Sequence, residues 1–188
     1  MIGDPPRRAR LVLPMMTADD VVFILDRLDS AGVAAWLDGG WAVDAVLGEV
    51  TREHADLDLI VRVDAVATMR AALAADGFEL TRGEPSSNFV LADGAGREID
   101  VHPVRFDAHG DGIYRMENGN DWTFPAGGFT GTGRIGTRDV RSLTPDVQML
   151  CHSTGYVPDE VDVHDMRLLH ERLGTALLPP FDRLVAGR

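Results

Sequence analysis

Asp56 and Asp58 stand two residues apart at the head of a stretch, residues 57–63, in which apolar and mixed side chains alternate as in a strand. Alternation sends both carboxylates to one face and Leu57 and Leu59 to the other. Two like charges side by side on a strand repel. Such a pair is either a solvated surface feature or a ligand set for a hard divalent cation, which takes carboxylate oxygens together with substrate phosphates. A third acid, Asp100, lies in residues 97–104, where Glu98, Asp100 and His102 share one face and Ile99, Val101 and Pro103 the other. If the two strands are neighbours, Asp56, Asp58 and Asp100 meet. Three acids suit a pair of cations about 3.5–4 Å apart that clamp the attacking and leaving oxygens of a displacement at phosphorus.

Upstream, Asp38-Gly39-Gly40 separates an apolar run at 33–37 from a short helix at 41–47 that Gly48 ends. Gly39 and Gly40 allow a close backbone approach to a ligand and point free amides and the positive helix end outward, which suits a phosphate. A tight turn alone would use the same two residues. Arg52 is a candidate phosphate contact, with an ion pair to Glu53 or Asp56 as the alternative.

The remaining elements position these groups. Thr17 and Asp20 form a capping box for a helix that Gly32 ends. Asp64 is expected to cap a second helix, 65–76, closed by Gly77. Two strands, 78–81 and 88–92, follow, and Asp93-Gly94 is a hairpin signal demanding positive φ. Residues 104–136, rich in Gly, Asp and aromatic residues, are expected to hold short strands and a loop over the site. Trp122 and Phe124 there are read as packing groups, with stacking on a base or sugar as the alternative. Thr144-Pro145 starts a helix running toward His152, and 159–173 is another, ended by Gly174. Cys151-His152 and His164-Asp165 lack metal-ligand spacing to a partner and are read as structural.

Together, Gly39-Gly40-Trp41-Ala42-Val43-Asp44 and Thr51-Arg52-Glu53-His54-Ala55-Asp56-Leu57-Asp58 resemble the polymerase β-like nucleotidyltransferase superfamily, and more closely its lincosamide and aminoglycoside 2″-nucleotidyltransferases. The segment His152-Ser153-Thr154-Gly155-Tyr156 resembles a His-Thr-Gly-Tyr of the lincosamide-type enzymes, with Ser153 inserted. The resemblance implies an α+β fold, a mixed sheet flanked by helices, with a nucleotidyltransferase domain over 17–140 and a small C-terminal helical part over 141–188. It implies ATP as donor, Mg²⁺ (two ions) on Asp56, Asp58 and Asp100, phosphate contacts at Gly39, Gly40 and Arg52, and Asp100 as the base. Many superfamily members carry Ser where this chain has Gly40, so that phosphate contact lacks a side chain here.

Net charge is −12 and the isoelectric point near 4.8; all 18 basic residues are arginine. A nucleic-acid binder shows the reverse balance, so the field favours a small cationic acceptor over a template. No apolar run reaches the roughly 18 residues of a membrane helix. Only 11–16 follows Arg7, Arg8 and Arg10 as an apolar run, too short for a secretory signal. With the single Cys151, these features imply a cytoplasmic protein. Other readings stay open: a protein or endogenous-metabolite acceptor, a metal-dependent phosphohydrolase using the same acids, or a nucleotide-binding module without catalysis.

Overall fold

The computed structural model describes residues 15–186 except 117 and 156. Pro5-Pro6, Arg7, Arg8, Arg10 and Tyr156 lie outside the described residues. Helix α1 (Ala18–Ser30) opens on the expected capping box, in which Thr17 and Asp20 satisfy each other's backbone N–H groups. It turns Val21, Ile24, Leu25 and Leu28 inward. Strand β1 (Ala35–Leu37) leads into α2 (Gly39–Leu47), then β2 (Asp56–Arg62). A 3₁₀ turn (Val63–Ala65), α3 (Val66–Ala74), β3 (Glu79–Gly83) and β4 (Phe89–Ala92) return the chain to β5 (Glu98–Phe106). β6 (Gly112–Arg115) and β7 (Asp121–Phe124) extend the sheet, and β8 (Thr132–Ile135) and β9 (Arg138–Arg141) form a separate ribbon. Helices α4 (Pro145–His152), α5 (Glu160–Leu173) and α6 (Phe181–Ala186) close the described chain.

The architecture is the expected α+β one. Among the described residues, seven strands make a mixed sheet in the order β1-β2-β5-β4-β3, with β6 and β7 continuing from the far end of β5. The β2–β5 pair is parallel and every other strand pair is antiparallel. α1 and α3 cover one face through a core that includes Leu57, Leu59, Ile99 and Val101. Residues Met149, Val163, Met166, Leu169 and Phe181 of the C-terminal helices pack on Val43 of α2. The chain therefore clamps α2 between sheet and C-terminal helices. Among the described residues no helix is long and apolar enough to cross a membrane.

Several local expectations are corrected. α2 begins at Gly39, two residues before the expected start, because the Asp38 side chain caps it. Asp64 caps nothing; it pairs with Arg62 at 2.7 Å, and the helix is delayed by the 3₁₀ turn. Thr144 makes no side-chain cap bond, and Pro145 alone sets the start of α4. In the β4–β5 turn the positive φ falls on Gly96 (84°), not Gly94, because Asp93 Oδ1 accepts the N–H groups of Ala95 and Arg97.

Candidate active site

Parallel pairing places Asp56 opposite Glu98, Asp58 opposite Asp100 and Ile60 opposite His102. Since β5 alternates, Asp100 and His102 emerge on the face that carries Asp58. Ligand atoms of Asp58, Asp100 and His102 lie within 4.8 Å of one another. Asp56, at the exposed start of β2, stands outside that group, yet its charge acts on both other acids. His102, given no role from sequence, lies between two acids: Nε2 is 3.7 Å from Asp100 Oδ1 and Nδ1 is 3.8 Å from Asp38 Oδ2. Its position two residues beyond Asp100 on the same face is the signal that could have found it.

Burial pushes the Asp58 carboxyl well above the usual carboxylate range, and the charges of Asp56, Asp38 and Asp100 push it further, with Arg52 opposing. Burial also raises Asp100, against the pull of His102 and a hydrogen bond from Asn88. Asp100 Oδ1 and His102 Nδ1 are buried without a hydrogen-bond partner among the described residues. Repelling carboxylates with an orphaned oxygen fit a hard divalent cation; the imidazole suits Mg²⁺ less well than the carboxylates do.

Linkage gives this repulsion a pH signature. A carboxyl whose folded pKa exceeds its unfolded value, near 3.9, holds its proton more tightly when folded. Stability therefore falls as pH rises from that value through the folded pKa. The metal-free protein is therefore expected to melt lower at neutral pH than at mildly acid pH. Mg²⁺ should raise the melting temperature more at the higher pH; equal Mg²⁺ shifts in a thermal-melt series at both would contradict this.

The glycine turn is shaped by what lies against it. Asp38 Oδ1 accepts the Gly39 N–H at 2.9 Å. Gly39 holds φ +58°, and a Cβ there would overlap Asp58 Oδ2. A Cβ on Gly40 would overlap Arg52 Nη2 and the His54 ring. The first turn of α2 thus rests directly on Asp58 from one side and on Arg52 and His54 from another.

Arg52 makes its ion pair with neither Glu53 nor Asp56. Its Nε and Nη2 donate to both oxygens of Asp165 on α5 at 2.7–3.2 Å, and Nη1 donates to the Glu53 carbonyl at 3.1 Å. His54 Nε2 meets Asp44 Oδ2 at 2.6 Å while its ring lies on Trp41, centroids 4.3 Å apart. Asp44 Oδ1 accepts both the N–H and hydroxyl of Thr51. Much of the Gly-Gly to Asp-x-Asp motif is therefore scaffold: Trp41, Asp44, Thr51 and His54 lock the loop that aims β2.

Two cavities open here. One, about 290 Å³, is lined by Asp38, Gly39, Asp58, His102, Cys151 and His152. The second, about 350 Å³, shares Asp38, His102 and Cys151 with the first and adds Tyr114, Met116 and Trp122. Phe124 also reaches it, so the two aromatics read as packing groups form a wall as well. The Cys151 thiol is pushed up by burial and by Asp38. His152 Nδ1 meets Asp162 at 2.9 Å; burial disfavours its charge, but Asp162 and Asp38 outweigh that and raise its pKa.

Residues 20–169 match the family described as aminoglycoside-2″-adenylyltransferase. A lincosamide resistance protein from Staphylococcus haemolyticus is 27% identical over 154 residues, 82% of this chain and 94% of that protein. A 2″-aminoglycoside nucleotidyltransferase from Escherichia coli is 53% identical over 36 residues, 19% of this chain and 20% of that one. Among solved structures, the lincosamide antibiotic adenylyltransferase LnuA with lincomycin bound superposes with a TM-score of 0.73 at 26% identity, covering 83% of this chain and 98% of that one. ANT(2″)-Ia in complex with adenylyl-2″-tobramycin shares the fold, with a TM-score of 0.69 at 24% identity over 84% of this chain and 89% of that one.

Proposed function

We propose that this chain, which belongs to the aminoglycoside-2″-adenylyltransferase family, is a nucleotidyltransferase that moves AMP from ATP to a hydroxyl of a lincosamide, releasing pyrophosphate. The observation that carries the choice of acceptor is the aromatic cavity beside the acids. Its walls of Tyr114, Met116, Trp122 and Phe124 suit a molecule with an apolar limb better than a polycationic aminoglycoside. The 27% identity to a lincosamide resistance protein along 94% of its length supports the same choice.

Asp56, Asp58 and Asp100 would hold Mg²⁺, two ions in this reading, which would supply neutralisation of the charge on the triphosphate and on the departing pyrophosphate. The chain's own groups divide the remaining work. With the Gly39 amide held by Asp38, the turn's contact to a phosphate falls to Gly40, and Arg52, fixed by Asp165, supplies positive charge from behind it. The aromatic cavity orients the acceptor so that its hydroxyl oxygen attacks the α-phosphorus. The new P–O bond forms as the bond to pyrophosphate breaks, and the Asp100 carboxylate takes the hydroxyl proton.

The test is pyrophosphate release from Mg²⁺-ATP in the presence of lincomycin, with tobramycin as comparison and mass analysis of the drug. Lincomycin heavier by one adenylyl group is the expected result. Phosphate or AMP released without an acceptor would replace this reading with hydrolysis. Trp122→Ala is expected to raise the KM for lincomycin about tenfold or more while leaving the KM for ATP unchanged, as steady-state kinetics would measure.

A further inference from the structure

Asp38 is a helix cap, and a neutral cap would serve as well: Asn, Ser and Asp rank together at that position. One oxygen, Oδ1, does the capping through the Gly39 N–H. The other, Oδ2, is 3.8 Å from His102 Nδ1, beyond hydrogen-bond reach. The side chain is 12% exposed, and His102 is the single group within ion-pair distance of it among the described residues. His102 and His152 lie near it, yet no hydrogen bond to Oδ2 is formed among the described residues, and a largely buried carboxylate oxygen gains from a ligand that donates one.

Its location narrows what that ligand is. Asp38 lies in the wall common to both cavities. Its negative charge acts on Asp58, Cys151 and His152, three residues around that wall. A carboxylate here does nothing for an anionic triphosphate and weakens the phosphate affinity of the helix end it caps. It favours a cation arriving from the aromatic side. Trp122 lines the same cavity, and its apolar surface would cover the carbon framework around such a cation.

Resting on the acceptor reading above, we infer that Asp38 is a specificity-determining residue: Oδ2 binds a protonated amine of the acceptor and so selects acceptors that carry an amine near the reacting hydroxyl. The overall charge of −12 acts in the same direction at long range, while Asp38 acts at contact.

Asp38→Asn tests this because asparagine keeps the cap and the shape and removes the charge. Steady-state kinetics would compare lincomycin with its derivative in which the amine's N-methyl group is replaced by N-acetyl, a neutral amide, for the native protein and the variant, with Kd for Mg²⁺-ATP and Tm measured alongside. The native protein should prefer the amine form about tenfold or more. The variant should lose that preference through the KM of the amine form alone, with Tm and ATP affinity retained or improved. Transfer to lincomycin with the same preference in both proteins would overturn the inference and leave the proposed function standing. No transfer to lincomycin by the native protein would overturn both.

Discussion

Asp58→Asn is expected to abolish nucleotidyl transfer and to stabilise the metal-free protein. The carboxyl sits beneath Gly39 and beside Asp100, in a position where burial and three neighbouring acids oppose its ionisation. That unfavourable charge is the property a divalent cation uses. Several kcal/mol of charge stabilisation correspond to a loss of about a thousandfold or more in turnover. Without metal, the amide removes a repelling buried charge, and a gain of about 1 kcal/mol is in the range typical of relaxed active sites. Asp100→Ala should also lose transfer with ATP binding retained, and Asp56→Ala should lose it by weakening the ligand set from its exposed edge. Turnover assays paired with thermal melts in EDTA check all three. A variant at Asp100 with near-native turnover would remove that residue from the mechanism, and an Asp58→Asn protein melting lower than native in EDTA would contradict the strain argument.

Arg52→Ala should be the most destabilising single change in the signature loop. The Asp165 side chain is 2% exposed and takes three hydrogen bonds from one guanidinium, whereas the Arg52 side chain is 25% exposed. Removing Arg52 strands a buried carboxylate and is expected to cost about 3–5 kcal/mol, a fall of about 10 °C in Tm for a chain of this length. Removing Asp165 leaves a cation that water can still reach, so Asp165→Ala should cost clearly less. The double variant should melt above Arg52→Ala, since it strands nothing. Equal losses for the two single variants would mean that the pair is not the asymmetric buried contact described here.

How much of this was legible in the sequence depended on the range of each interaction. The Thr17–Asp20 box, the Gly48 and Gly174 helix ends and the alternation of 97–104 are local patterns, and the structure carries each of them. The meeting of Asp58 and Asp100 needed a parallel pairing across a connection of one helix and two strands, which alternation alone does not specify; the family resemblance supplied it. Asp165 as the partner of Arg52 was invisible because the two are 113 residues apart in sequence. His102 and Asp38 carry no ligand signature in the sequence, for different reasons. The first looked like one more polar residue on a strand, and the second like part of a turn, although a carboxylate at an N-cap facing a cavity carries both a local and a ligand-directed role. Asp64 shows the converse, a good cap residue diverted by a neighbouring arginine.

The in-register pairing of β2 with β5, seven partners from Asp56↔Glu98 to Arg62↔Val104, also governs where this chain tolerates changes of length. Inserting or deleting one residue within either strand would swap its faces, carrying Asp58 or Asp100 into the core and Leu59 or Val101 into the cavity. Two residues would restore the faces but separate the acids by about 7 Å along the strand. The β3–β4 turn at residues 84–88 and the β4–β5 turn at 93–97 lie outside that pairing. Natural variants of different length are expected to carry their insertions and deletions in those turns rather than within β2 or β5.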